Sequence, residues 1–129
     1  MMQVAAAIIC RGGRVLICQR AAGRLAHHWE FPGGKLERGE TLEECIIREC
    51  KEELAIDIRI KQIFDQRAYR DPVKEIAFTF FQAELHKGEV KTLRDIHEDI
   101  AWVAPEELDQ YKLCPADRLT AEKLKQHLQ

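Results

Sequence analysis

The chain has 129 residues, 46% of them hydrophobic and 33% charged, which suits one globular domain over residues 1–129 rather than a membrane or disordered protein. The net charge of -2 provides no overall field to attract a nucleic-acid polymer or an anionic membrane. The sequence has no apolar run of about 18 residues, as a membrane span requires, and no basic start typical of a signal peptide. The 5 cysteines, an odd number without a Cys-x-x-Cys pair, favour reduced thiols and a cytoplasmic location.

Strand and turn signals dominate the first part of the chain. Residues 3–10 and 14–20 are apolar runs separated by a Gly-Gly turn, which predicts a β-hairpin. Residues 21–28 lack any periodicity and are predicted to form a loop. Residues 29–31 favour a short strand closed by Pro-Gly-Gly, and after a further loop we predict a helix over residues 41–54.

The second half predicts three more strands and two helical segments. Residues 56–70 alternate in part and predict one strand, and residues 74–85 predict a central strand because they are apolar on both faces. A short strand over residues 100–103, a helical turn from residue 105 to 108 and a terminal helix over residues 117–128 follow. We expect the terminal helix to bury Leu119, Leu124 and Leu128. This order of elements predicts an α+β fold, with helices on both faces of a mixed sheet.

The first predicted helix carries an apolar ridge and an acidic cluster side by side. Thr41 and Glu44 predict a capping box at its start. Glu49, Glu52 and Glu53 lie at i, i+3 and i+4, against the ridge. The ridge itself recurs every fourth residue and consists of Leu42, Ile46, Cys50 and Leu54.

This acidic cluster requires compensation. Like charges one turn apart destabilise a helix by roughly 0.2–0.5 kcal/mol, and burial of an unpaired carboxylate adds to that penalty. Arg48 is expected to neutralise at most one of these charges, and Lys51 points to the far side of the helix. Three explanations stay open: raised pKa values, a bound divalent cation such as Mg²⁺ or Mn²⁺, or a solvated groove beside the core.

The segment before this helix favours the cation. A Pro-Gly-Gly stretch ends at Gly34 and allows the backbone to approach a ligand closely, so the Gly34 carbonyl can serve as a hard oxygen ligand. Glu40 lies just ahead of the helix and can fold back towards Glu49 and Glu52. Because bound Mg²⁺ commonly contacts substrate phosphates, this carboxylate-rich unit predicts a metal-bridged phosphate substrate.

These residues resemble the signature of the Nudix hydrolase family, G-x5-E-x7-R-E-U-x-E-E-x-G-U, in which U is a bulky aliphatic residue. Gly34 and Glu40 are followed by the run from Arg48 to Ile56, so that the match covers residues 34–56. Cys50 stands where an aliphatic residue is usual, and Ala55 replaces the last glycine, although alanine is poorly suited to the left-handed conformation that ends many helices. The preceding WEFPGGK stretch resembles the MutT branch in particular.

The resemblance implies a Nudix fold, which is an α/β/α sandwich with a mixed central sheet, and it assigns roles to the acidic residues. Glu40 supports the cluster, Arg48 orients an acid through a salt bridge, and Glu49 is the candidate for handling the attacking water. A further acid near the last strand assists in this branch, and the candidate here is Glu98, with Asp99 as an alternative and an ordinary exposed acid as the simpler interpretation. The metal ligands implied are the Gly34 carbonyl, Glu49, Glu52 and Glu53.

The resemblance also indicates which residues meet the base. The Pro-Ala-Asp stretch ending at Asp117 resembles the Pro-Ala-Asn stretch that contacts the base in MutT-type enzymes. Aspartate in place of asparagine leaves only acceptors, which favours an N–H-rich edge such as that of guanine or cytosine; alternatively, Asp117 merely caps the terminal helix. We expect Phe78 and Phe80 to pack in the core rather than stack on a base. The remaining matches to nucleotide-contacting positions are Arg20, Glu30 and Phe31.

The implied reaction is hydrolysis of a nucleoside triphosphate to a monophosphate and pyrophosphate, with Mg²⁺ as cofactor and Mn²⁺ as an alternative. Oxidised dGTP is the first expected substrate, and CTP or a modified dCTP the second. Pro72, about sixteen residues past the motif, favours ADP-ribose or another nucleoside diphosphate derivative as a third. A fourth interpretation is a nucleotide-binding module without turnover. We expect a monomer or homodimer whose partner is a small nucleotide and not a nucleic acid or membrane.

Overall fold

The computed structural model describes residues 1–127, which form a mixed sheet with helices packed on it. The helical segments are α1 (Leu42–Leu54), a 3₁₀ helix (Pro105–Gln110) and α2 (Pro115–His127). The strands are β1 (Met2–Arg11), β2 (Arg14–Arg20), β3 (Trp29–Glu30), β4 (Gly33–Lys35), β5 (Asp57–Arg70), β6 (Glu75–Lys87) and β7 (His97–Val103). No helix in this part of the chain is both long and apolar enough to cross a membrane.

The sheet is built around β1, which has neighbours on both edges. The strand order is β3-β2-β1-β6-β5, with β4 paired to β1 and β7 paired to β2. β1 and β6 run parallel, so that Ala7 lies opposite Phe81, whereas the other pairs are antiparallel. The predicted hairpin is confirmed by the antiparallel pairing of Cys10 with Val15.

Alternation along the strands divides the core into two layers. On one face, the ridge of α1 packs against Ala5, Ala7 and Ile9. On the other face, Leu124 of α2 and Leu108 of the 3₁₀ helix pack against the β1 side chains that point the opposite way, including Ile8. Each fully buried aliphatic side chain contributes roughly 1.5–3 kcal/mol of transfer free energy. The predicted α+β sandwich with a mixed sheet is therefore confirmed.

β6 is the central strand that its sequence predicts. It pairs with β1 on one edge and with β5 on the other. Phe80 is fully buried in the layer under α2, and its neighbour Phe81 is buried in the layer under α1. The two faces of β6 are both covered because consecutive side chains of a strand point in opposite directions.

Three local predictions differ from the structure. β4 was not predicted, because its three residues carry no apolar alternation and pair with β1 through the backbone alone. β7 begins at His97, earlier than the predicted residue 100. α2 begins at Pro115, since proline suits the first position of a helix, and Asp117 consequently lies in the first turn and does not cap it.

The apolar side of α2 is also different from the one predicted. Leu124 is buried, but Leu119 is 47% exposed. Five residues of a helix turn through about 500°, so that these two leucines cannot share one face. The third predicted member, Leu128, lies outside the described residues.

Ala55 caps the C-terminal end of α1 and adopts the left-handed conformation (φ 60°), which the glycine of the family motif would adopt more easily. We predict that Ala55→Gly stabilises the protein by about 0.5–1 kcal/mol, because relief of roughly 1–2 kcal/mol of left-handed strain exceeds the added backbone entropy of glycine. Chemical denaturation measures the change. Ala68→Gly, at an exposed residue within β5, is the control and should lower stability, because glycine in a strand loses more backbone entropy on folding. A loss of stability in both variants would contradict the prediction.

Candidate active site

A cavity of about 320 Å³ opens on the face of the sheet that carries α2 and extends to the end of α1. Residues far apart in sequence meet in it, because β1, β3, β4, the β5–β6 turn and the start of α2 all contribute to its wall. Six of the residues singled out from the sequence line the cavity: Arg20, Glu30, Phe31, Gly34, Glu53 and Asp117.

At one end of the cavity, α1 lies directly on the backbone of β4. Pairing of Gly34 with Ala5 holds β4 against β1. A Cβ built on Gly34 would lie 2.6 Å from Oε1 of Glu49, and closer still to the rest of that carboxylate. Only glycine therefore allows the carboxylate of Glu49 to pack on this strand. The neighbouring Gly33 is restricted by the backbone instead, since its Cβ would lie 2.8 Å from the Cα of Ala6.

The guanidinium of Arg48 is the centre of the acidic cluster. Its Nε and Nη2 donate to the two carboxylate oxygens of Glu40, at 3.0 and 2.7 Å. Its Nη1 donates to Glu49 at 2.7 Å and to Glu52 at 3.1 Å. Arg48 therefore joins three carboxylates, but its single positive charge balances only one of them, as expected. Glu40 reaches the other acids through Arg48, and these hydrogen bonds lower the pKa of Glu40 to about 2.

Glu53 lies apart from Arg48 and has no such compensation. It is 4% exposed, and its Oε1 has no hydrogen-bond partner among the described residues. Burial, reinforced by the nearby carboxylate of Glu49, raises the pKa of Glu53 to about 9. Burial therefore favours the protonated form of Glu53 in the metal-free protein.

The donor set at this end suits a hard divalent cation. Within residues 1–127, no three His, Cys, Asp or Glu side chains are arranged around a metal position. Arg48 instead donates hydrogen bonds to both Glu49 and Glu52. The unpaired Oε1 of Glu53 and the carboxylate of Glu49 packed on Gly34 are oxygen donors of the kind that Mg²⁺ and Mn²⁺ prefer.

Asp117, which lines the same cavity, is held by the backbone of Phe31. Its Oδ1 accepts a hydrogen bond from the Phe31 amide at 3.0 Å, and the residue is almost fully buried. Burial first, and then the charge of Glu30, raises the pKa of Asp117 well above its usual range. Glu30 in turn accepts from Arg20 Nη1 at 3.1 Å through Oε1 and lies 3.0 Å from His97 Nε2 through Oε2.

The structure does not bring Glu98 into the cavity. Glu98 pairs with the Nδ1 atom of His27, a residue with φ 69° in the loop after β2. Asp99 accepts a hydrogen bond from the following amide, that of Ile100. Neither acid therefore contacts the cluster on α1 in this conformation.

Sequence reasoning did not find the rim of the cavity. Arg24 and Asp71, from two separate loops, form an ion pair of 2.8 Å, and both line the cavity with Lys74. Phe78, which was expected in the core, does pack against Phe80 but also forms part of the cavity wall. No spacing in the sequence signals these contacts, because they depend on how the loops at one end of the sheet meet.

The NUDIX domain profile matches residues 1–125 of the chain. The protein belongs to the Nudix hydrolase family. It is similar to a CTP pyrophosphohydrolase of Escherichia coli (34% identity, covering 91% of this chain and 86% of the relative). It is also similar to an 8-oxo-dGTP diphosphatase of Proteus vulgaris (37%, covering 69% and 81%). Among solved structures, a MutT NUDIX hydrolase from Burkholderia pseudomallei superimposes with a TM-score of 0.88 (28%, covering 95% and 97%).

These matches make the chain a MutT-like Nudix enzyme. They also agree with the motif read over residues 34–56, since the profile covers all of it. The roles of the individual residues of this Nudix hydrolase stay predictions, which the following two experiments address.

We predict that Gly34→Ala lowers kcat/KM of the Nudix hydrolase by about 100-fold, because the added methyl displaces Glu49. This corresponds to a loss of about 2.7 kcal/mol of transition-state stabilisation. Gly33→Ala is the matched comparison, since its methyl meets the backbone of β1 and should lower the melting temperature more. Steady-state kinetics and thermal denaturation of both variants measure the two effects. Wild-type kinetics in Gly34→Ala would show that catalysis does not depend on the packing of the Glu49 carboxylate against Gly34.

We predict that Glu53→Gln removes a pH dependence of stability from the metal-free Nudix hydrolase. A folded-state pKa of about 9, against 4.5 when unfolded, makes the wild type lose stability as pH rises between those values. At pH 8 the variant should therefore be the more stable of the two, and at pH 4 the two should be alike. Denaturation at several pH values in a chelator tests this.

Glu52→Gln serves as the control, because the Glu52 side chain is 40% exposed and its replacement should leave the pH dependence in place. A Glu53→Gln variant that loses stability with rising pH as steeply as the wild type would show that Glu53 is not the buried acid responsible.

Proposed function

We propose that residues 1–129 form one catalytic domain that hydrolyses nucleoside triphosphates to monophosphate and pyrophosphate with Mg²⁺, for which Mn²⁺ can substitute. Its expected role is the removal of modified nucleotides such as 8-oxo-dGTP. The observation that carries this proposal is a single cavity that is lined by both Glu53 and Asp117. Such a cavity is suited to a ligand with a metal-bound phosphate end and a base.

At the phosphate end, we assign the cation to the Gly34 carbonyl and the carboxylates of Glu49, Glu52 and Glu53. A divalent cation there neutralises phosphate charge and lowers the pKa of a bound water. Arg48 holds Glu49 and Glu52 in place until they are needed as ligands, and it keeps Glu40 as a permanent partner. Glu49 is the group proposed to take the proton of the attacking water.

Cationic side chains complement the acids at this end. Lys35 and Lys74 line the same cavity and offer charge for the phosphates. The acids alone would repel a triphosphate, so that substrate binding and metal binding are expected to be linked. Added Mg²⁺ should accordingly tighten nucleotide binding as well as permit turnover.

At the base end, Asp117 is proposed to act in its protonated form. A neutral carboxyl group offers a donor and an acceptor side by side, as the amide of an asparagine does. From the sequence, Asp117 was expected only to accept hydrogen bonds. We now propose that it both donates and accepts, as the asparagine of MutT-type enzymes does. The raised pKa of Asp117 supports this assignment.

A donor–acceptor pair distinguishes oxidised guanine from guanine. Guanine presents two acceptors, N7 and O6, on its major-groove edge. Oxidation at C8 places a hydrogen on N7, so that the same edge presents a donor beside an acceptor. Protonated Asp117 is complementary to the oxidised base. With unmodified guanine, its single donor would face two acceptors, and its own acceptor would have no donor.

Cytidine triphosphates are the second candidate. Cytosine presents its N3 acceptor beside the N4 amino donor, which a protonated Asp117 also matches. The Escherichia coli relative that is named for CTP hydrolysis covers 91% of this chain. Hydrolysis of ADP-ribose, suggested by Pro72, is a lower-ranked alternative. A nucleotide-binding module without turnover ranks below it.

A panel of 8-oxo-dGTP, dGTP, CTP, UTP and ADP-ribose tests the function, assayed with Mg²⁺ or Mn²⁺ for pyrophosphate released from the triphosphates and for AMP released from ADP-ribose. We expect 8-oxo-dGTP to exceed dGTP, and Asp117→Asn to keep that preference because the amide retains a donor and an acceptor. Asp117→Leu should reduce the preference about tenfold or more. Asp109→Asn, at an acid that is 59% exposed, is the control.

Three outcomes would contradict parts of the proposal. Equal rates on all triphosphates would remove the role of Asp117 in reading the base. Release of AMP from ADP-ribose alone would favour the nucleoside diphosphate alternative. A wild type and a Glu49→Gln variant that both bind nucleotide without turnover would indicate a binding module.

A further inference from the structure

His97 is a buried polar residue that the proposed chemistry does not use. Its side chain is 1% exposed, and its Nδ1 is buried without a hydrogen-bond partner among the described residues. Leaving a buried polar atom unpaired destabilises the folded state, so that an apolar side chain would fill this space more favourably than a histidine. Its one polar side-chain partner in the described structure is Glu30, whose Oε2 lies 3.0 Å from Nε2.

A bulge in the sheet creates this contact. β2 is flanked by β3 on one edge, where Cys18 pairs with Glu30, and by β7 on the other. The register of β2 and β7 shifts so that Gln19 lies opposite Asp99 and Arg20 opposite His97. Glu98 is the extra residue, and a bulge of this kind re-aims side chains. As a result, His97 faces Glu30 across β2, whereas Glu98 pairs with His27.

Glu30 is thereby fixed through both of its oxygens. Arg20 donates to Oε1 at 3.1 Å, and His97 holds Oε2 at 3.0 Å. Each carboxylate oxygen has two acceptor lone pairs, so that Glu30 retains capacity to accept from a ligand. Glu30 lines the cavity beside Asp117, but His97 lies behind it and does not.

We propose that His97 is the positioning residue for base selection: through Nε2 it fixes the Glu30 carboxylate as the acceptor for an exocyclic amino group of the base. This rests on the proposed function, because it assumes that the base enters between Glu30 and Asp117. A carboxylate accepts from an amino group and repels a carbonyl oxygen at the same place. Bases that carry an amino group, such as cytosine and guanine, are therefore favoured over uracil and hypoxanthine.

The two nitrogens of His97 allow a test that separates position from folding. In His97→Gln, the side-chain amide reaches the position of Nε2 and can still donate to Glu30. In His97→Asn, the amide reaches only the position of Nδ1, which has no partner, and the contact with Glu30 is lost. The two variants bury groups of the same chemistry, so that a general effect of polarity on folding is common to both.

The readout is the preference between nucleotides that differ at the amino position, CTP over UTP and GTP over ITP. For wild type and His97→Gln we expect the preference in kcat/KM to be similar. For His97→Asn and Glu30→Gln we expect it to fall about tenfold, mainly through a higher KM for the amino-bearing nucleotide, with kcat changed little. His86→Asn, at an exposed histidine of β6 that contacts Arg59, is the matched control and should behave as the wild type.

Calorimetric titration of CMP and UMP into the same variants measures the preference without turnover, so that the inference does not depend on the enzyme's catalytic steps. A preference that survives in His97→Asn but is lost in Glu30→Gln would overturn the role of His97 and leave the proposed function intact. A preference that survives in both, or is absent from the wild type, would overturn the inference. Absence of triphosphate hydrolysis by a wild type that still prefers CMP would refute the proposed function alone.

Discussion

The acidic surface of α1 is compatible with the core beneath it because one guanidinium, that of Arg48, joins three carboxylates. Four of its hydrogen bonds, between 2.7 and 3.1 Å, go to Glu40, Glu49 and Glu52. Hydrogen bonds of this charge-assisted kind are about twice as strong as neutral ones. Without them, the acids would repel one another along the edge of a buried ridge. The helix therefore carries its own counter-charge when no cation is bound.

Arg48 does not reach the carboxyl groups that line the cavity. Glu53 and Asp117 are both buried, and burial raises both pKa values. His97 likewise keeps one nitrogen unpaired. Each of these groups lowers the stability of the folded protein, and each lies at the cavity or directly behind it. This distribution is typical of an active site, in which binding of the ligand compensates for polar groups that folding leaves unsatisfied.

The most irregular parts of the sheet position this chemistry. β4 has only three residues, yet its pairing with β1 brings Gly34 under Glu49. β3 has two, and its end supplies both Glu30 and the Phe31 amide that holds Asp117. The bulge in β7 separates the directions of His97 and Glu98. The long strands β5 and β6 and the two helices form the rigid frame on which these short segments are placed.

The sequence by itself determined the elements whose signals are local. The hairpin, the central strand β6 and the capped helix α1 follow from alternation, a Gly-Gly turn and a capping box, which involve residues close together in the chain. The family motif over residues 34–56 likewise identified the acidic cluster, because its spacing is read along one loop and one helix.

Tertiary structure alone decided the features that join distant segments. β4 has no sequence periodicity and exists because β1 offers it an edge, and the partners of Arg48 depend on how the loop before α1 folds over the helix. Asp117 became a buried acid held by Phe31, and not a helix cap, because α2 starts at Pro115. His97 faces Glu30 only because of a register shift. Packing of one strand against another fixes these contacts, and no spacing within the chain encodes that packing.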